Sequence, residues 1–327
     1  MKKTLVAVAA MAAVTGAMAD ATIYGTIDAA YTSQTAKTSA TNTNKTTSIG
    51  GTNNGGSAIG FKGSEDLGNG MKVSFQQEIG LNTDQNGGPS SATGYENRNS
   101  FVGLSGGFGD VKIGRQYNFA FYNIISNDPM GFSGLNTFVA AGAGGAARTD
   151  NLIAYTAPTL IPGVGIQIGK ALGEATTTTA APAKTNDSTS YALNYSNAGL
   201  YVGTTSETVV ATATSKTKHT STTAIYDFGM VKVGITSTKT ALGTAYAKGS
   251  MTSISAPIGA VTAWYSSGDL TSRASATAAE SKTKGSQYGF NYSLSKTTYA
   301  YVQSGKTSTS ATSSSTSGYA LGLIKNF

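Results

Sequence analysis

The sequence predicts an all-β chain: a transmembrane up-and-down antiparallel β-barrel of about 16 strands, with the third long connection folded inward. Three observations predict it. The composition is that of strands and turns, with 17 Tyr, 41 Gly and only 6 Pro, and with Thr, Val and Ile recurring in short runs between Gly- or Asn-marked turns. Several runs alternate with period two, the signature of a strand with two unlike faces. Short turns alternate along the chain with long polar connections, as in a meander with one tight end and one ragged end.

The chain opens with Lys2 and Lys3, an apolar run from Leu5 to Val14, and the small-x-small triplet Ala17-Met18-Ala19. This is the pattern of a secretory signal, and the run is too short for a spanning helix. We expect cleavage after Ala19, which defines residues 1–19 as signal and 20–327 as a single barrel domain, and lowers the formal charge from +7 to +5. No Cys is present, so an exported chain would depend on strand pairing and burial alone. Beyond the signal no run reaches the ~20 apolar residues of a spanning helix. A membrane barrel is not excluded by that, because its apolar face occupies only every second residue.

Alternation locates the strands. Met71, Val73 and Phe75 oppose Lys72, Ser74, Gln76 and Glu78, and Val231, Val233 and Ile235 oppose Lys232 and Gly234. Tyr191, Leu193 and Tyr195 form another apolar face, as do Tyr288, Phe290 and Tyr292, then Tyr299 and Tyr301, then Tyr319, Leu321, Leu323 and Phe327. Strands are expected near 22–33, 56–65, 70–81, 97–106, 110–117, 148–157, 163–173, 188–196, 199–208, 217–228, 230–240, 246–256, 259–268, 285–293, 296–305 and 318–327. A soluble sandwich would also alternate, and it stays open as the alternative; the regular succession of short and long connections favours the barrel. Residues 34–54, 174–190, 269–287 and 305–318, mostly Thr, Ser, Asn, Ala and Gly, read as solvated loops.

The connection after Arg115 is different. It lacks alternation for about thirty residues, unusually long for an unstructured link. It carries Phe119, Phe121, Tyr122, Ile124, Ile125, Met130, Phe132, Leu135, Phe138 and Val139, which require something to pack against. Its one acid between Tyr117 and Ala147 is Asp128, and Ala140 to Ala147 lacks long side chains.

Chemistry other than passage finds little support. The chain has one His, His219, and no Cys, and its carboxylates are scattered singly, so no nucleophile–base pair or acid–base pair is evident. No metal-ligand spacing, phosphate loop or nucleic-acid module appears, and no cofactor is expected.

Three stretches carry a resemblance. Ile59-Gly60-Phe61-Lys62-Gly63-Ser64-Glu65-Asp66-Leu67-Gly68-Asn69-Gly70, the run from Arg98 through Gln116, and the terminal Phe327 on an alternating strand resemble the general diffusion porins of Gram-negative outer membranes, nearest the beta-proteobacterial trimeric type. The resemblance implies a water-filled channel for ions and small hydrophilic solutes, with the loop of residues 118–147 forming a constriction opposite a basic wall. It implies a homotrimer in contact with outer-membrane lipid and lipopolysaccharide, and assembly machinery that reads Phe327. Lys62 and Arg115 match members of the basic wall, while Ala58 stands where the family commonly has Arg.

We therefore expect Lys62, Lys72, Arg98, Arg115 and Arg148, against Glu78 and Asp128, to line the pore and to give a weak anion preference. Lys62 shares parity with Ala58 and Gly60, the inward side. Arg115 shares parity with Val111 and Ile113, so it faces the lumen only if a bulge near Gly114 re-aims it; otherwise it is a rim residue. A surface adhesin or receptor barrel, and less readily a barrel hydrolase, are the competing readings.

Overall fold

The computed structural model describes residues 21–38, 42–51, 55–84, 96–131, 145–175, 184–212 and 215–327. The signal and its cleavage site lie outside the described residues, as do 132–144 of the long third connection. The strands are β1 (Thr22–Lys37), β2 (Thr43–Gly50), β3 (Ser57–Gly68), β4 (Met71–Leu81), β5 (Glu96–Gly106), β6 (Gly109–Tyr117), β7 (Arg148–Thr156), β8 (Val164–Ala171), β9 (Glu174–Ala175) and β10 (Lys184–Thr185). They continue as β11 (Ser188–Asn197), β12 (Leu200–Thr212), β13 (Ser215–Asp227), β14 (Lys232–Leu242), β15 (Ala245–Ile258), β16 (Val261–Arg273), β17 (Ser281–Ser295), β18 (Thr298–Thr309) and β19 (Ser314–Asn326). One helix, α1 (Phe119–Ile125), follows β6.

Among the described residues, sixteen of these strands close a barrel of sequential antiparallel neighbours. Closure joins β1 to β19 from Thr26↔Asn326 to Lys37↔Ser315, while the start of β1 pairs with β3 from Thr22↔Lys62 to Thr26↔Ala58. Gly25 and Phe327 exchange both backbone hydrogen bonds at 3.0 Å, so the last residue is stitched into the seam.

All sixteen expected strands are present, but several polar loops are not loops. The upper part of β1 pairs with β2 inside 34–54; β16 runs on to Arg273, β17 begins at Ser281, β18 runs to Thr309 and β19 begins at Ser314. Within 174–190 a short ladder joins β9 to β10, and β11 begins at Ser188. Strand pairing uses backbone groups, and a wall wetted on both faces needs no apolar alternation to extend. Thr is itself a good strand former. At the other end the links are tight, two residues at 69–70, 107–108, 198–199, 259–260 and 296–297.

The barrel is inside out relative to a water-soluble domain. Each of its sixteen strands exposes a large apolar side chain on the outer face, from Ile27 on β1 through Val102, Ile113 and Ile235 to Leu321 on β19. Ser221, Thr223, Thr236, Ser266, Gln287 and Gln303 are buried on the inner face. Water-soluble monomers rarely expose contiguous apolar patches above a few hundred Å². A continuous belt around sixteen strands exceeds that and fits lipid contact. Tyr299 and Tyr301 are a correction to the expected facing: Tyr301 is buried inside, its hydroxyl donating to Asp28 Oδ1 at 2.8 Å, and Tyr299 packs beside it. Val302, not Tyr301, supplies the outer apolar position of β18.

Candidate functional site: the lumenal loop and the charged wall

The chain after β6 turns into the barrel because its ends and its polar residues are tied there. Asn118 caps α1 by accepting from Ala120 N–H at 2.7 Å, and its amide donates to Glu207 Oε2 at 2.7 Å. Asn123 donates to Ser221 Oγ at 2.8 Å, accepts from Tyr201 OH at 3.1 Å, and its carbonyl accepts from Thr223 at 2.8 Å. Asn127 donates to Thr236 Oγ1 at 3.1 Å and accepts from Ser253 Oγ at 2.5 Å. Asp128 accepts from Gln287 Nε2 at 3.3 Å and from Met130 N–H at 3.1 Å. The loop thus steps across β12, β13, β14 and β15 on amide side chains and reaches β17 through the Asp128 carboxylate.

Two apolar contacts complete the docking. Phe119 packs with Leu152, Ala154 and Ala171, and Met130 is fully buried among Ala30, Trp264, Tyr301, Ala320 and Ile324. The wall makes room for the loop at Gly234, where a Cβ would overlap Asn127 Oδ1.

The opposite arc, β1 and β3 to β7, carries the charges. Arg98 Nε lies 2.8 Å from Glu78 Oε1, and its guanidinium donates to Tyr117 OH at 2.8 Å. Arg148 pairs with Glu96 at 2.7 Å, donates to the same Tyr117 hydroxyl at 3.1 Å, and lies over the Tyr117 ring at 4.7 Å. Tyr24 donates to Glu78 Oε2 at 2.9 Å and accepts from Gln76 at 2.5 Å. Lys62 Nζ sits over the Tyr24 ring at 4.9 Å. From the loop side, Phe121 stacks on Tyr117 at 4.8 Å and Tyr122 meets it edge-on at 5.3 Å.

Of the residues expected in the pore, Lys62, Arg98, Arg148 and Glu78 are brought together here. Among the described residues Lys62 has no carboxylate within 4 Å, whereas both arginines do. Lys72 is not part of the group. It sits next to the tight end, six residues below Glu78 on β4, roughly 20 Å along the strand.

Arg115 is also a correction. The register of β6 against β7 shifts between Gly114 and Gln116, with Gly114 at φ +138°, so the expected bulge exists. It does not turn Arg115 inward: Gln116 is buried against Leu152 O and Tyr117 meets the lumenal Arg98 and Arg148, while Arg115 stays on the parity of the exposed Ile113. Its Nε donates to Asn97 O at 2.7 Å and its NH1 pairs with Asp150.

Asp128 does not face the bases either. It is buried behind the loop against β17, as Glu207 and Asp28 are buried at β12 and β1. The acids on the loop side therefore lie beneath its docked surface, and the bases line the opposite wall. Sequence reading missed Tyr24, Glu96, Tyr117 and the Asn118, Asn123, Asn127 series. The only available signal was three amides within an otherwise apolar run. His219, the sole histidine, is held by Thr240 Oγ1 at 2.7 Å on β13.

A family profile described as Gram-negative porin matches residues 7–312. The major outer membrane protein P.IB of Neisseria meningitidis serogroup B / serotype 15 (strain H44/76) is 42% identical over 116 residues, covering 35% of this chain and 34% of that protein. Its Neisseria gonorrhoeae counterpart is 41% identical over 115 residues, covering 35% and 32%. The match thus spans about a third of the length of these curated relatives. Among solved structures, the anion-selective porin from Comamonas acidovorans superposes with a TM-score of 0.80 at 22% identity over 94% of this chain and 100% of that one. Salmonella typhi OmpF in complex with daunomycin superposes at 0.72 with 15% identity over 94% and 98%. These two likenesses concern the fold.

Proposed function

The chain belongs to the Gram-negative porin family, and from that premise we propose that it forms a water-filled outer-membrane channel for passive diffusion of ions and small hydrophilic solutes, with a weak preference for anions. The observation that carries the reading is the division of the lumen. One arc holds a loop tethered by amides, and the facing arc presents Lys62, Arg98 and Arg148. A permeating anion meets the ammonium of Lys62, the base of this group with no carboxylate within 4 Å among the described residues. The two arginines are largely offset by Glu78 and Glu96, which keeps the preference weak.

The rest of the reading follows the family. The chain is exported after cleavage near Ala19, the barrel assembles through its last strand with Phe327 as the signal, and three copies associate. The large exposed outer residues of β3 to β6, among them Phe61, Phe75, Val102 and Ile113, include no tyrosine and support a protein contact on that side. The exposed tyrosines Tyr191, Tyr226, Tyr265, Tyr288 and Tyr319 support lipid contact on the other. The test is the reversal potential of single channels in a planar bilayer under a KCl gradient. An anion-leaning, ohmic channel is expected, and folded protein that does not conduct would overturn the reading.

A further inference from the structure

Three cation–aromatic pairs descend the lumenal face of the charged arc. Arg148 lies over the Tyr117 ring at 4.7 Å, Lys62 over Tyr24 at 4.9 Å and Lys112 over Phe101 at 5.2 Å. Register fixes the third pair inside. Val102 and Leu104 are exposed on the outer face, and a Cβ on Gly103 between them would meet Ser74 Oγ at 2.8 Å and Lys112 Cγ at 3.1 Å. Ser74 shares parity with Gln76, whose amide reaches the lumenal Tyr24, and Phe101 shares parity with Gly103. Lys62, Gln76 and Phe101 form one cross-strand row, so the second and third pairs stand two strand spacings, roughly 10 Å, apart. Tyr117 lies three residues beyond Gly114, the partner of Phe101, or roughly 10 Å along β6.

The loop adds an aromatic surface of its own. Because α1 buries Phe119, Ala120, Asn123 and Ile124 against the wall, its free face carries Tyr122 into the lumen, 54% exposed. Tyr122 meets Tyr117 edge-on at 5.3 Å and Phe121 at 6.4 Å, so it continues the ladder at its upper end. The cations differ in what they offer a solute. Arg148 is held by Glu96 and serves mainly to orient Tyr117. Lys62 has no carboxylate within 4 Å among the described residues. Lys112 meets Asp110 at 3.3 Å, but both side chains are about one-third exposed and an ammonium has three donors, so it keeps N–H groups for a further acceptor.

We propose that this ladder binds planar aromatic carboxylates, the benzoate class, and favours their passage over that of other anions of the same charge and size. The carboxylate meets Lys62 and then Lys112, while the ring lies against Tyr122 at the loop and Phe101 below. Charge alone would serve an aliphatic acid equally well. The rings add what only a flat π system uses: ring–ring contacts are worth more than the area they bury, and an ammonium that lies over Tyr24 or Phe101 lies over a solute ring in the same way. A saturated ring gains neither. Stations spaced roughly 10 Å apart, each holding the solute weakly, let it leave as readily as it enters.

The inference rests on the anion-leaning channel proposed above, and a KCl gradient applied to the same channels separates the failure of one from the failure of the other. Potassium benzoate is placed against potassium cyclohexanecarboxylate across a planar bilayer holding the refolded full-length barrel, and the reversal potential gives their relative permeability. Benzoate is expected to lead by about two- to tenfold, the worth of one ring–ring contact. Tyr122→Leu and Phe101→Leu should each lower that ratio by about half, and together bring it to about one, with the chloride preference over potassium retained. Phe290→Leu on the outer face should leave the ratio unchanged. Retained heat-modifiable migration shows that the variants have folded. Equal permeation of the two carboxylates by the wild-type channel, or a benzoate preference that survives the double variant, would overturn the proposal while an anion-leaning KCl reversal leaves the channel reading standing. Folded protein that does not conduct would remove both.

Discussion

Asn127 and Gly234 occupy adjoining space so closely that a Cβ on Gly234 would overlap Asn127 Oδ1. The amide lies on bare backbone, and from there reaches Thr236 and Ser253. Gly234→Ala should therefore push Asn127 off the wall while leaving the barrel intact. We expect higher open-channel current noise with unchanged heat-modifiable migration on gels. Asn127→Ala should match it, and the double variant should add little, because both changes break one contact. Fully additive effects would separate the two residues.

Met130 is the apolar counterpart of that tether. Truncating a fully buried Met costs about 2–5 kcal/mol where the site cannot collapse, and this pocket is shared between the loop and β1, β16, β18 and β19. Since the lost contact lies between loop and wall, the cost should fall on docking, not on the barrel. Met130→Ala is expected to speed hydrogen exchange of the α1 amides by an order of magnitude or more with little change in barrel melting. A lowered melting temperature with unaltered α1 exchange would place the contribution in the barrel itself.

Lys62 and Arg115 separate lumen from rim. An ion passing about 7 Å from a unit charge in water-like surroundings feels roughly 0.6 kcal/mol. Lys62→Glu reverses that charge beside the path. Anion and cation shift by about 1.2 kcal/mol each in opposite senses, so the anion-to-cation permeability ratio should fall by up to about fifty-fold at low salt, and by less near 0.1 M, where the screening length is about 10 Å. Arg115→Glu faces Asp150 on the outer side. It should leave the reversal potential nearly unchanged while lowering stability through carboxylate repulsion. A shift from Arg115→Glu as large as that from Lys62→Glu would return Arg115 to the pore.

What could be read from the sequence followed the solvent contrast across the wall. Where β4 or β17 crosses between lipid and water, Phe75 against Gln76 or Tyr288 against Gln287 alternates cleanly, and each of the sixteen strands was found. Where both faces are wet, as at Thr43–Gly50 or from Lys306 to Thr309, Ser, Thr and Lys carry no contrast, and paired strand read as loop. Tyr301 failed for a related reason: both faces of β18 offer apolar side chains, and only the partner Asp28 across the seam decides between them. The charged wall was legible in residue type through Lys62, Glu78, Arg98 and Arg148. Their pairing was not, because Glu96 and Tyr117 join it through contacts between strands. Charge alone places Asp128 in the lumen, whereas its acceptors serve the loop's own turn and Gln287.

Phe327 tests whether a residue is read by machinery or merely closes the seam. Its backbone is bonded to Gly25, and any residue but proline would keep those bonds; its ring lies against Gly25, where a Cβ would meet it at 2.5 Å. The ring is about half exposed, so truncation forfeits on the order of 1 kcal/mol of burial, small for a barrel paired along sixteen strands. Phe327→Ala protein refolded in detergent should thus regain the native gel mobility and melt within a few degrees of the wild type. In cells, if the ring is the assembly signal, the same variant should accumulate several-fold less heat-resistant oligomer in the outer membrane. Equal losses in detergent and in cells would make the ring a structural element of closure, and no loss in either would remove its role in assembly.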